Sequence, residues 1–496
     1  MTTLPVSPEH VDVLIVGAGI SGIGAARHLE HRLPGTSYVL LEARDALGGT
    51  WDLFRYPGIR SDSDLHTFGY AFKPWTQDEA IADGDAILRY IGETAAERGI
   101  DRHVRFGHRV VRAAWSSDEA RWTVDVELAG TGETTRMTAG WLFAASGYYR
   151  YDEGYSPEFA GRERFSGPII HPQHWPQDLD YAGKRVVVIG SGATAVTLVP
   201  ALAEQAAHVT MLQRSPSYIL ALPSRDGLAN RLRALIGERR AYAFTRRKNI
   251  RRQAVVYALS RRFPNAVRRV IRALTARQLP EGYAVDTHFK PRYDPWDQRL
   301  CLVPDGDLFK ALGRGDASVV TDAIETFTER GVRLASGAEL EADVIVTATG
   351  LNLLAFGGVE LEVDGRAVAL PETLAYKGAM LSGVPNFAFA VGYTNASWTL
   401  KVDLVCAWLC RVLAHMRAGG FDTCVAEAPE PPVETRPLLN FSAGYVLRSL
   451  DAFPKQGTEA PWQLPMSYAE DVRRLRDGAI DDGTLRFAAA NRLAPA

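Results

Sequence analysis

Two glycine clusters, each set between an apolar run and a helix-like pattern, carry the residue types best suited to chemistry in this chain. The first is Gly17-Ala18-Gly19-Ile20-Ser21-Gly22, directly after the apolar run at 11–16. Gly17 permits a tight turn, Gly19 lets backbone approach a pyrophosphate, and Gly22 lets the following helix pack closely on the strand. The helix start then offers unpaired N–H groups and a partial positive charge to an anion. A second strand, predicted over Tyr38–Leu41, ends at Glu42, whose carboxylate can accept hydrogen bonds from ribose hydroxyls. That placement implies adenosine with a free 2′-hydroxyl.

The pattern recurs. A strand predicted over Arg185–Ile189 precedes Gly190-Ser191-Gly192-Ala193-Thr194-Ala195-Val196, with Ala195 where the third glycine stood. At the end of the next predicted strand, 208–212, the acid is missing and Gln213-Arg214 stand in its place, followed by Ser215. A carboxylate there would repel a 2′-phosphate, whereas a guanidinium can hold one through two parallel hydrogen bonds. This second site is therefore expected to prefer NADPH to NADH. A lone glycine motif can be a mere tight turn, and Arg214 could be a solvated surface arginine. It is the order of strand, loop, helix and terminal side chain that favours nucleotide binding. Two dinucleotide sites in one chain, one reading a ribose and the other a phosphorylated ribose, suggest a flavin and a nicotinamide held face to face.

The elements that must position these loops define an α/β protein: two Rossmann-like dinucleotide-binding domains, one for FAD and one for NADP, with a helical insertion. The length of 496 residues suits several domains. The first part of the FAD domain is expected over 1–150, a linker over 151–180, the NADP domain over 181–334, and the second part of the FAD domain with a C-terminal segment over 335–496. Apolar stretches ending in glycine at 141–147 and 344–350 resemble junctions between the two domains. The insertion, about 225–280, is arginine-rich, and over 225–278 its only acids are Asp226 and Glu238. It reads either as a solvated helical subdomain covering the substrate entrance or as a surface for peripheral membrane contact.

A formal charge of −2 gives no global pull toward nucleic acid or membrane, and no nucleic-acid module accompanies the local charge. The apolar helix expected at 399–416 contains Lys401, Asp403 and Arg411, so it is read as buried rather than membrane-spanning. Cys301, Cys406, Cys410 and Cys424 form no C-x-x-C pair and no metal-ligand spacing, which suits a reducing cytoplasm and excludes a dithiol redox centre. No metal site is expected.

Between the glycine loops, Phe165, Gly167, His171, Trp175 and Pro176 stand in the order F-x-G-x-x-x-H-x-x-x-W-P, and GGTWDLFRYPGIRSD runs over 48–62. Both resemble fingerprints of the Baeyer-Villiger monooxygenases, class B flavoprotein monooxygenases. FRYPGIRSDSD, YDEGYSP, DPWDQRLCLVP and GYTNASWTLK are similar to the ethionamide-activating subgroup, so the resemblance spans nearly the whole chain. It implies a flavin monooxygenase that uses NADPH and dioxygen to turn ketones into esters or lactones, and to oxidise sulfides or thioamides. It places Thr50, Trp51 and Asp62 along the flavin, Ser21 at its pyrophosphate and Val110 beside its ring. NADPH would lie against 190–196, Arg214 and Ser215. Arg299 matches the family's active-site arginine, with Asp62 its natural orienting partner. Many relatives carry lysine just before that arginine. Here it is Gln298, which leaves more of the NADPH preference to Arg214.

The bond chemistry of such a reaction belongs to the cofactors, and the protein's share is charge stabilisation, orientation and exclusion of water. His171, in a Gly/Pro-rich linker, is read as fixing chain conformation rather than as a base. The competing readings are an N- or S-oxygenating flavin monooxygenase without ketone activity and an NADPH-sensing protein that has lost its flavin; a dithiol-disulfide reductase would need a redox cysteine pair, and none is present.

Overall fold

A computed structural model of the chain describes residues 8–298, 300–439 and 444–490. The apolar run after the N-terminus becomes the strand Glu9–Val16, which pairs in parallel with Tyr38–Leu41 on one side and Thr134–Ala144 on the other. Buried on both faces, it carries consecutive apolar residues rather than an alternation. The helix Ile20–Arg32 covers it, and the antiparallel strands His108–Ser116 and Arg121–Leu128 extend the same sheet. Phe387–Phe389, far along the chain, also joins this sheet beside Thr134–Ala144.

A second, five-stranded sheet is parallel throughout. Its order is Ala317–Thr321, His208–Gln213, Arg185–Ile189, Val344–Thr347 and Ile169–Ile170. The observed strands Tyr38–Leu41 and Arg185–Ile189 match the sequence expectation residue for residue. The stretch expected at 141–147 begins earlier, at Thr134, because it continues a hairpin from Arg121–Leu128.

Strand pairing crosses the expected boundary at 334/335. A division at 334/335 separates Gly331–Leu334 from its partner Glu339–Glu341, and strands Val344–Thr347 from the sheet it completes. The apolar contacts of Ile345, Val332 and Leu334 hold both sides in one small core, so the return to the first sheet comes nearer residue 350. The fingerprint linker likewise contributes Ile169–Ile170 to the second sheet.

The helix expected at 399–416 is Trp398–Gly419, and its charges are satisfied within the protein. Lys401 Nζ lies 2.8 Å from Asp471 and Asp403 meets Arg246 at 3.4 Å. Arg411 donates to the carbonyls of Leu475, Arg476 and Gly478. Among the described residues no helix is long and apolar enough to cross a membrane. All four cysteines are buried and unpaired by disulfide.

The arginine-rich insertion folds into helices Gly227–Ile236, Glu238–Arg262 and Pro264–Ala276. One face docks on the first unit through a polar seam. Arg246 donates to the carbonyls of His66, Thr67 and Gly69, Asn249 and Gln253 donate to Asp64, and the Tyr242 hydroxyl donates to the Tyr70 carbonyl.

Candidate active site

Both glycine loops open into one cavity of about 1200 Å³. That exceeds the ~300–1,000 Å³ of sites for single drug-sized ligands. Its lining includes Gly17, Gly19, Ser21, Glu42, Thr50, Trp51, Asp62 and Val110 from the first unit. From the second unit come Gly190, Ser191, Gly192, Ala193, Thr194, Arg214, Ser215 and Gln298. Gly22, Ala195 and Val196 do not line it. A Cβ on Gly22 would stand 2.0 Å from the Gly17 carbonyl oxygen, so that glycine serves the close approach of helix and strand. Ala195 and Val196 are packed in the second core. Arg299, the expected active-site cation, lies outside the described residues.

The two loops share one construction. Gly17 (φ +103°) abuts the backbone of Ala145 and Ser146, where the chain leaves the first sheet, and Gly190 (φ +137°) abuts Ala348, where it leaves the second. A side chain at either position would collide with a crossing segment as well as strain the turn.

Whether these loops fit dinucleotides can be judged from their helix starts. Ile20–Arg32 and Ala193–Leu202 begin at Gly19 and Gly192 with no side-chain cap and no acid in the first turn. Elsewhere Asp83 and Asp226 cap their helices by accepting from Ala86 and Ala229. The nucleotide helices thus keep their first N–H groups and their positive end for an anion. A Cβ on Gly192 would meet nothing within 4 Å, so this loop faces open space. The donor set fits two pyrophosphates.

Glu42 is held where a ribose would be read. Its Oε2 accepts the Ala18 N–H at 2.8 Å and its Oε1 the Arg44 N–H at 3.1 Å. An ionised carboxylate has about four acceptor sites, so capacity for ribose hydroxyls remains. Ser21 Oγ accepts Trp398 Nε1–H at 2.9 Å, which leaves the serine hydroxyl hydrogen free to be donated. Ser191 Oγ donates to the Ser215 carbonyl at 3.1 Å and pairs with Ser217 Oγ at 2.9 Å, tying the second loop to the segment after Arg214. Arg214 itself is exposed at the cavity edge, at the end of His208–Gln213.

Several lining residues were not singled out in the sequence. Tyr148, Tyr149, Tyr151 and Tyr155 come from the crossing segment, and Tyr393, Trp398 and Arg448 from the C-terminal third. The Arg448 guanidinium carbon stands 3.3 Å from the Tyr155 ring centroid, and burial lowers its pKa from the ordinary arginine value. Burial also pushes the Tyr151 phenol up to about 12, keeping it a neutral hydrogen-bonding group. Phe54 and Tyr56, in the segment after Trp51, pack into the second unit's core. A Cβ on Gly58 would meet Ala201 Cβ at 2.7 Å. This loop therefore couples Thr50, Trp51 and Asp62 to the helix of the second glycine loop. Among the described residues, none of the insertion lines the cavity.

A family model described as flavin-binding monooxygenase-like matches residues 10–357. The chain belongs to that family. It is 60% identical over 481 residues to the FAD-containing monooxygenase EthA of Mycobacterium tuberculosis (strain ATCC 25618 / H37Rv), covering 97% of this chain and 98% of the relative. It is 52% identical over 488 residues to the putative FAD-containing monooxygenase MymA of the same strain, covering 97% and 98%. In fold it is similar to an oxidised steroid monooxygenase bound to NADP, with TM-score 0.76 and 24% identity over 97% of this chain and 100% of that one.

In this flavin-binding monooxygenase none of the fingerprint residues Phe165, Gly167, His171, Trp175 and Pro176 lines the cavity, and His171 sits against the segments that cross between the two units. Tyr149–Gly154 and Leu351–Leu353 pair antiparallel, so the outgoing and returning segments form one ribbon. His171 Nε2 lies 3.0 Å from the Gly350 carbonyl and Nδ1 lies 3.2 Å from the Gln173 N–H. A carbonyl can only accept and an N–H only donate, so these partners fix the neutral tautomer with hydrogen on Nε2. Gly154 leaves room for the ring, since a Cβ there would stand 1.9 Å from His171 Cε1. Gly167 approaches the Asp343 carbonyl, Phe165 is buried beside Phe327, and Trp175 meets Tyr181 edge to face, with Pro176 following.

Burial lowers the His171 pKa, outweighing the opposing hydrogen bond to Gly350. The folded state therefore holds fewer protons than the unfolded chain. The stabilisation is present above the unfolded value of about 6.5 and is lost as pH falls through and below it. His171→Ala should cost about 1–3 kcal/mol near neutrality, through the unpaired Gly350 carbonyl and Gln173 N–H. In thermal melts from pH 8 to 5, the gap between wild type and variant should narrow on the acid side. A gap that widens with acid would contradict the assigned tautomer.

Proposed function

We propose that this chain is an NADPH- and dioxygen-dependent FAD monooxygenase that inserts one oxygen atom into ketones to give esters or lactones, and that it also oxidises sulfides or thioamides. The observation that carries the reading is the convergence of two uncapped glycine-loop helices on a single cavity, one strand ending in Glu42 and the other in Arg214. Bound FAD would supply hydride acceptance and dioxygen activation.

The chain's own residues have defined tasks. The N–H groups after Gly19 and Gly192 bind pyrophosphate, Glu42 orients a ribose, and Ser21 adds a hydroxyl donor. Thr50, Trp51, Asp62 and Val110 border the space for the flavin ring, while Gly190, Ser191, Ala193, Thr194 and Ser215 border that for the nicotinamide nucleotide. The tyrosines of the crossing segment and Trp398 give the cavity an aromatic wall. To Arg299 we assign, from sequence alone, the fixed positive charge that stabilises anionic oxygen during transfer, with Asp62 as its orienting partner.

Arg214→Ala should raise the NADPH KM by about 10- to 100-fold, the value of a charge-assisted pair, and leave the NADH KM within about threefold. Steady-state kinetics with both nucleotides checks this. Equal effects would remove the 2′-phosphate assignment. The substrate class is tested by NADPH-dependent product analysis on linear, cyclic and aryl ketones, a sulfide and a thioamide. S-oxide without any ester or lactone would favour an oxygenase lacking ketone activity.

A further inference from the structure

The helical insertion presents a surface unlike the rest of the molecule. Ten of the twelve exposed large apolar side chains among the described residues lie in it, Leu235 being 79% exposed. Over 225–278 it carries 16 lysines and arginines against two acids, in a chain whose total formal charge is −2. The two features share one helix face. Along Glu238–Arg262, Phe244, Arg247, Arg251, Val255, Leu259 and Arg262 recur at spacings of three and four and are all exposed. The opposite face, with Tyr242, Arg246 and Asn249, is buried against the first unit. Docking therefore fixes the basic, apolar stripe outward.

We infer that this outward face of the insertion seats on the surface of a bilayer containing acidic lipids. A second copy of the chain would set arginine against arginine. A nucleic acid would match the guanidinium groups but leave the interleaved Val255, Leu259 and Phe244 without apolar partners. An acidic lipid surface satisfies both at once: headgroup phosphates pair with the arginines, and the aliphatic side chains enter the acyl boundary. Contact is peripheral, since no described helix can span. The inference does not depend on the substrate.

The test is flotation of the FAD-loaded full chain with phosphatidylcholine vesicles, and with vesicles in which a third of the lipid is phosphatidylglycerol. The protein should float with the acidic vesicles, and high salt should release it. Each basic residue near such a surface is worth about fivefold in partitioning. The combined variant Arg247→Glu, Arg251→Glu, Arg262→Glu should therefore lose on the order of 100-fold, while its flavin absorbance and NADPH oxidation stay as in wild type. Val255→Ser with Leu259→Ser should weaken binding at every salt concentration. The inference is overturned by equal flotation with both vesicle types, by a charge-reversed variant that binds as wild type does, or by tight binding to duplex DNA or polyglutamate without vesicle binding.

Discussion

Gly22→Ala should yield a protein that no longer retains FAD through purification. The added methyl would stand 2.0 Å from the Gly17 carbonyl oxygen and 3.4 Å from Leu40 Cδ2, and the nearer obstacle is backbone. Helix and strand must then separate, which moves the uncapped N–H groups off the pyrophosphate and opens the turn at Gly17. Overpacking of this kind costs about 1–3 kcal/mol. Spent at the binding loop, that corresponds to about 10- to 100-fold in flavin affinity. The second loop supplies the control. Ala195 already occupies the corresponding place, fully buried in the core, so its helix sits far enough from its strand to accept a methyl. Ala195→Gly should change NADPH affinity by less than about fivefold, the helix-propensity cost of about 1 kcal/mol. The flavin-to-protein absorbance ratio after gel filtration decides the first point. Full retention by Gly22→Ala would mean that the first helix is not held against its strand in solution.

Arg299→Ala should abolish oxygenation and leave flavin binding intact. A guanidinium about 4 Å from anionic oxygen, at an effective dielectric near 20, is worth on the order of 4 kcal/mol. Its loss lowers the oxygenation rate by about 10²- to 10³-fold, as does removal of one oxyanion donor elsewhere. NADPH consumption should persist with release of hydrogen peroxide, because the nucleotide loops and Arg214 are untouched. Normal ester formation by this variant would refute the role assigned from the sequence fingerprint.

How far the sequence was legible depended on how local each signal is. The glycine loops, Glu42 and Arg214 were readable because strand, loop, helix and terminal side chain lie within some thirty residues and are set by the geometry of one βαβ unit. The insertion was readable because helical spacing and charge density are local too. What escaped was whatever depends on distant pairing. Tyr148, Tyr151, Trp398 and Arg448 reach the cavity from segments hundreds of residues apart, and no periodicity marks them. Residues 344–347 join the sheet that lies across the expected 334/335 division, because an apolar strand does not reveal which sheet it will join. Trp175 and Pro176, quoted as a signature, are not among the described residues that line the cavity, and Trp175 packs edge to face on Tyr181. A motif can mark a place where the chain's conformation is fixed as readily as a contact with ligand. His171 illustrates this, since both its nitrogens are committed to backbone.

The most direct test of a single cavity joining flavin, nicotinamide and oxygen transfer is mass spectrometry of the product formed from a ketone, NADPH and isotopically heavy dioxygen. The account predicts an ester or lactone carrying one heavy oxygen atom, formed in step with NADPH consumed. Turnover of NADPH that yields only hydrogen peroxide across the ketone panel, or a product whose new oxygen comes from water, would contradict it.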